Sequence, residues 1–221
     1  MGIVRNGLFT SALALTVMCG AAAAPSAASA PTAVTADEPT TVNTAPPEEP
    51  EETDLVENPA PDPDPTFKPE KPPVDTPDAE YCSPRNVYIP KTKGKQYHKG
   101  VGPTNSNYNG TSRTARSTFV SEVTGEVGVS VTAGLSGSVS AMIAEIEAKY
   151  EVNLSAKLTA KLGNSISVDT PAKKTTNAKY GVYRLKNTGT SYKIYSNCQT
   201  SAKKTITSYT PIKVGWYLWE D

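Results

Sequence analysis

A period of two, held in phase along most of the chain's centre, limits this protein more than any other feature. From Phe119 to Ile143 the odd positions read Phe, Ser, Val, Gly, Val, Val, Val, Ala, Leu, Gly, Val, Ala, Ile, and most even positions are Thr, Glu, Ser or Gly. From Tyr150 to Val168 the even positions read Tyr, Val, Leu, Ala, Leu, Ala, Leu, Asn, Ile, Val, against Glu, Asn, Ser, Lys, Thr, Lys, Gly, Ser, Ser on the odd ones. Side chains alternate across a strand, so each arm has one apolar and one polar face. The expected fold is mainly β, built on a long amphipathic antiparallel hairpin. A register of Val139 with Leu154, Leu135 with Leu158, Val131 with Leu162 and Val127 with Ile166 places all the apolar residues on one side. The tip then falls near 145–148.

Helix competes with strand at that tip. Val139, Met142, Ile143, Ile146 and Tyr150 recur at spacings of three and four, and Leu154, Leu158 and Leu162 share a helical stripe. Propensity alone leaves 141–162 open between the two, with a short helix near 141–149 as one outcome.

The flanks are read by their punctuation. "YCSPRNVYIPKTKGKQYHKG" and "VGPTNSNYNGTSRTAR" are rich in Gly, Asn, Pro and Ser, which predicts connecting structure with one short strand at Asn86–Pro90. Pro171 ends the amphipathic run. "KYGVYRLKNTGTSYKIYSNC" predicts a C-terminal hairpin turning at Asn187–Gly189, followed by a final strand in which Trp216 and Trp219 are the large core or interface residues.

Two further segments surround this β-rich region. Arg5, the apolar run Leu8–Val17 and the small residues after it predict a secretory signal peptide over 1–36, cleaved near 28 or 36, and hence a secreted, extracellular protein. Residues 37–80 hold 14 acids against Lys68 and Lys71, a charge of −12, whereas 81–221 hold 19 Lys and Arg against 8 acids, or +11. The zero net charge of the chain therefore hides a split molecule. The acidic segment has Phe67 as its one aromatic, too little apolar surface to offset chain entropy, and is expected to be a disordered Pro-rich tether that docks on a partner. Residues 81–221 are then a single domain. In an oxidising compartment Cys82 and Cys198, one at each end of it, are expected to form a disulfide that closes a long loop, worth up to about 4.7 kcal/mol on chain-entropy grounds.

Several chemistries have no residues to carry them. The chain has one histidine, His98, and no HExxH, CxxC, GxSxG or phosphate-loop spacing. No catalytic residue, metal ligand or cofactor is assigned, and the expected function is non-enzymatic. Tyrosines interleaved with basic residues in "YRLKNTGTSYKIY" suit stacking on single-stranded nucleic acid, but export makes that a poor use and no nucleic-acid partner is expected.

Val123–Val168 with the following "VDTPAKKTTNAKYGVY" resembles the central module of aerolysin-type pore-forming toxins, the epsilon-toxin and mosquitocidal-toxin group of bacterial proteins. The resemblance implies that a Ser- and Thr-rich amphipathic segment, folded away at first, becomes a transmembrane β-hairpin. Val127, Val129, Val131, Leu135, Val139, Leu154, Leu158, Leu162 and Ile166 would then face lipid, and Glu126, Ser130, Thr132, Ser136, Lys157 and Lys161 the wet lumen. Its partners would be membrane lipid or a cell-surface receptor, with self-association. The layout of acidic tether plus disulfide-closed domain is also similar to an adaptor subunit of a secreted multi-protein toxin particle, such as the umbrella-shaped particles of actinobacteria. That alternative implies other secreted protein subunits as partners.

Overall fold

The computed structural model describes residues 39–51, 55–57 and 81–221. The predicted signal peptide lies outside them, as does the rest of the acidic segment.

The chain is mainly β, as its periodicity predicts. Its elements in order are β1 (Leu55–Glu57), β2 (Arg85–Tyr108), β3 (Ala115–Val120), β4 (Gly125–Gly128), β5 (Ser130–Thr132), α1 (Val139–Tyr150), β6 (Lys157–Ala160), β7 (Ser165–Thr170), β8 (Thr175–Ile194) and β9 (Lys204–Glu220). The main sheet runs β1-β5-β9-β8-β2, and β3–β7 and β4–β6 form two small antiparallel sheets. The long platform is β2, β8 and β9. β8 is paired along its length on both sides, and residues of both its faces, such as Ala178, Tyr180 and Val182 but also Asn177 and Leu185, are buried.

Two expectations about the platform are corrected. The segment read as connecting structure with one short strand at 86–90 is instead β2, the longest strand of the fold. Its Lys, Gly and Pro content is that of an edge strand that discourages further pairing. Register shifts at Pro90/Thr92, Lys93/Gln96 and Gly100/Thr104 let it follow β8 despite these residues. The hairpin turn is not at Asn187–Gly189, because β8 passes straight through. The buried Asn187 side chain accepts from Tyr88 Oη at 2.8 Å and donates to the Thr92 carbonyl at 2.9 Å. A Cβ on Gly189 would lie 2.4 Å from Tyr88 Cζ, so this glycine allows close approach of a ring. The turn comes at 195–200, where Cys198 donates to the Tyr195 carbonyl and is bonded to Cys82, with Cα atoms 5.0 Å apart.

Residues 115–170 lie along the platform as an insert between β2 and β8. Three apolar clusters join insert to platform. Phe119 and Val168 meet Ala178 and Leu218; Val127 and Ala160 meet Tyr180 and Val182; Val129, Val131, Met142, Ile143 and Ile146 meet Tyr88 and Ile206. Helix wins at the far end. Ser138 caps α1 by accepting from Ala141 N at 3.2 Å, and Met142, Ile143 and Ile146 bury one stripe.

Candidate functional site

The first candidate is the insert, whose geometry is simpler than its fragmentation suggests. In one small sheet Ala115 faces Thr170 and Val120 faces Ser165; in the other Gly125 faces Ala160 and Gly128 faces Lys157. Each residue gained on one arm is one lost on the other, through both sheets. Residues 121–124 and 161–164 bridge the break with equal lengths, and Ser121 N donates to the Asn164 carbonyl at 2.8 Å in that same register. At the other end Val129 N continues it by donating to the Ala156 carbonyl at 3.1 Å. The two sheets are thus one interrupted hairpin.

The expected register is corrected. Val127 faces Leu158 rather than Ile166, Ile166 faces Phe119, and Val131 has left the hairpin for β1 and β9. Val139 begins the helix instead of facing Leu154, Leu135 lies in the segment before it, and residues 145–148 sit inside α1 rather than in a strand turn. The shift is eight positions. Being even, it leaves the partition of apolar and polar faces intact.

Eight of the nine residues assigned to lipid therefore lie on the platform side here. Val127, Val129 and Val131 are buried, and Leu135, Val139, Leu154, Leu158 and Ile166 pack half-buried against the clusters. Leu162 is the exception, 64 % exposed at the break beside the partly exposed Val123. Of the polar set, Glu126, Lys157 and Lys161 are exposed, Thr132 and Ser136 are half-buried, and Ser130 is buried. The side-chain ties from insert to platform at these positions include one charged group, Arg184, which binds Ser130, and two neutral ones. Thr207 N donates to Thr132 Oγ1 at 3.0 Å, and Ser136 N to Ser191 Oγ at 2.8 Å.

Both arms leave the platform through one clasp at Asn109. Its backbone exchanges hydrogen bonds with Lys173 and Lys174 at 2.9 Å, and its side chain donates to the Thr170 carbonyl at 2.9 Å. The two ends of the insert are thus held side by side at this clasp.

The second candidate went unnoticed in the sequence. Residues 39–51 and 55–57 of the acidic segment lie on the same β domain as a strap. Val42 N donates to the Leu218 carbonyl at 3.1 Å and Glu220 N to the Val42 carbonyl at 2.9 Å. Glu49 meets Arg184, which is fully buried in β8: Nη1 lies 3.1 Å from Glu49 Oε2, and Nη2 donates to Ser130 Oγ at 2.5 Å and the Tyr209 carbonyl at 3.0 Å. β1 then pairs Leu55, Val56 and Glu57 with Thr132, Val131 and Ser130, and Glu57 binds Lys99.

Burial pushes the Glu49 carboxyl up, with Arg184 opposing, and pushes Arg184 down, with Glu49 opposing. The hydrogen bond from Lys99 holds Glu57 below the usual carboxylate range. The available signal was Arg184 itself, a charge amid the apolar run "YGVYRL" that needs a buried partner.

Among the described residues no group of three or more His, Cys, Asp or Glu side chains is placed to hold a metal, and no helix is long and apolar enough to cross a membrane. His98 is enclosed in the platform beside Tyr183 and Tyr217, with Nε2 3.2 Å from the Gly215 carbonyl. Comparison with known protein families, with curated proteins and with solved structures finds no match to this chain.

Proposed function

We propose that this chain is a secreted, membrane-permeabilising protein whose residues 115–170 insert as a β-hairpin, several copies together closing a barrel. The observation that carries this reading is the single register running through both small sheets. Ala115–Val120 oppose Ser165–Thr170 and Gly125–Gly128 oppose Lys157–Ala160 in one register, so that with the equal-length break between them each arm spans at least the roughly 9 to 11 residues a transmembrane strand needs. Straightening at 121–124 and 161–164 merges the two sheets without a change of partners. The apolar face then exchanges platform for lipid, a transfer between two apolar surroundings with a small hydrophobic cost. The uncovered platform residues, Tyr180, Val182 and Leu218 among them, need a new cover, which adjoining copies supply.

Leu162 gives the cleanest test, because its exposure separates insertion from folding. In this reading Leu162→Lys puts a cation on the lipid face, at a cost of roughly 2 to 4 kcal/mol per copy near the midplane, while the starting fold is undisturbed. Dye release from anionic and neutral liposomes at micromolar protein should be lost in Leu162→Lys and kept in Ser165→Lys, whose side chain is also exposed but belongs to the polar face. No release by the unaltered protein from any vesicle or susceptible cell, with the protein monomeric on membranes, would sink the pore reading. The adaptor of a secreted particle would then be the better account.

A further inference from the structure

The strap sits in a groove that the domain builds for it. Four features line this groove: the free backbone edge of β9 at Leu218 and Glu220, the guanidinium of Arg184, the outer edge of β5, and the Lys99 ammonium. Arg184 is 0 % exposed and its Nε has no hydrogen-bond partner among the described residues, so the groove holds a desolvated cation whose carboxylate partner there, Glu49, comes from the strap. The backbone edges call for an extended chain, and the two cations for carboxylates eight residues apart, which Glu49 and Glu57 supply. Such an arrangement reads a peptide by strand addition, with charge fixing the register.

We propose that this groove is an exchangeable binding site for an extended acidic peptide, filled in cis by residues 39–51 and 55–57 and able to take the same segment from a second copy. The split charge of −12 on 37–80 and +11 on 81–221 favours either source. Residues 58–80 join strap to domain, and at the extended limit of roughly 3.5 Å per residue this length spans up to about 80 Å, enough to reach a neighbouring copy.

Filling the groove also fixes β5. In the hairpin register Ser130 belongs opposite Ser155; here it faces Tyr209, and Ser155 N donates to the Pro211 carbonyl at 2.9 Å. β5 lies between β1 and β9, so an occupied groove holds this part of the insert on the platform.

The test needs no membrane, so its outcome is independent of the permeabilisation reading. A specific protease site is placed in the full chain within residues 60–75, the purified protein is cut, and a fluorescent peptide of residues 39–57 is added. The cut strap should co-elute with the domain and then be displaced by the labelled peptide. A Glu49→Gln peptide should compete at least tenfold more weakly, since it leaves Arg184 buried and unpaired. A scrambled peptide of equal charge should not compete, and amide exchange at 130–132 should rise once the strap is stripped by gel filtration in high salt. Equal competition by the scrambled peptide would reduce the site to a charged surface and overturn the proposal. So would loss of the near-ultraviolet spectrum on stripping, which would make the strap part of the core, or unchanged exchange at 130–132, which would remove its hold on β5.

Discussion

The platform and the insert are both antiparallel β-structure, drawn from neighbouring stretches of one chain, yet they are built to different standards. The platform strands run unbroken through Arg85–Tyr108, Thr175–Ile194 and Lys204–Glu220, knit by rings and large side chains: Tyr97 on Tyr209, His98 on Tyr183, Tyr180 on Trp216. The insert strands are short, alternate small apolar residues with Ser and Thr, and are held to the platform by three separate clusters. Buried hydroxyls occur in both halves, Ser117 Oγ with Thr170 Oγ1 at 2.5 Å in the insert and Thr176, Ser208 and Thr210 in the platform. The lesson is that pairing register and packing quality are separable. The insert keeps the register of an interrupted hairpin and, β5 apart, meets the platform through side-chain clusters rather than through a strand ladder.

The most forceful way to break that comparison is to remove equivalent apolar volume from each half. Leu185, 2 % exposed in β8, and Ile146, fully buried in α1, are comparable aliphatic side chains. Leu185→Ala should cost about 2 to 5 kcal/mol of global stability in denaturant unfolding. Ile146→Ala should instead raise amide exchange through 130–156, with a smaller shift of the global midpoint. Equal global losses, with no local opening around α1, would show insert and platform to be one cooperative unit.

A smaller effect, confined to the platform, comes from His98. Burial lowers its pKa, Lys179 lowers it further, and the Gly215 carbonyl partly opposes them. The folded state therefore prefers the neutral ring, and the unfolded chain binds more protons as pH falls. The stabilising preference is fully present above the unfolded pKa of about 6.5 and is lost as pH falls from there through the lower folded value. Urea titrations between pH 7 and 5 should show the domain weakening, and His98→Phe should flatten that slope. An unchanged slope in the variant would place the acid sensitivity outside the platform's centre.

How much of this was legible beforehand differs between the halves for a physical reason. Alternation reports which face a residue takes, so the insert's apolar partition was readable, and the even shift of register left it unharmed. Alternation does not report which residue lies opposite, because several registers of Val, Leu and Ala bury the same face. The platform was harder to read because β2, as an edge strand, uses Lys91, Lys93 and Pro103 where a central strand uses apolar residues. "KNTG" imitates a turn while serving as a socket for the Tyr88 ring. The strap was invisible for another reason: composition averages over a segment, and Glu49 and Glu57 act singly, each matched to one cation.

The smallest expected effect is also the sharpest on register. Glu126 directly faces Thr159, and Glu126 with Lys157 forms an ion pair whose side chains are 54 % and 55 % exposed, a setting in which charge pairs add little. Glu126→Cys with Thr159→Cys, oxidised, should bond readily and leave the denaturation midpoint almost unmoved, because the staple joins residues that already face each other. It should leave dye release unmoved too, since a hairpin that only straightens keeps these partners. The contrast is Val131→Cys with Ser208→Cys, which staples β5 to β9 across an observed pair and should abolish release when oxidised, while each single-cysteine variant keeps it. If the 126–159 staple blocks release as completely as the 131–208 staple does, the arms must change partners on the way to the membrane. The register shared by the two small sheets would then belong to this fold alone.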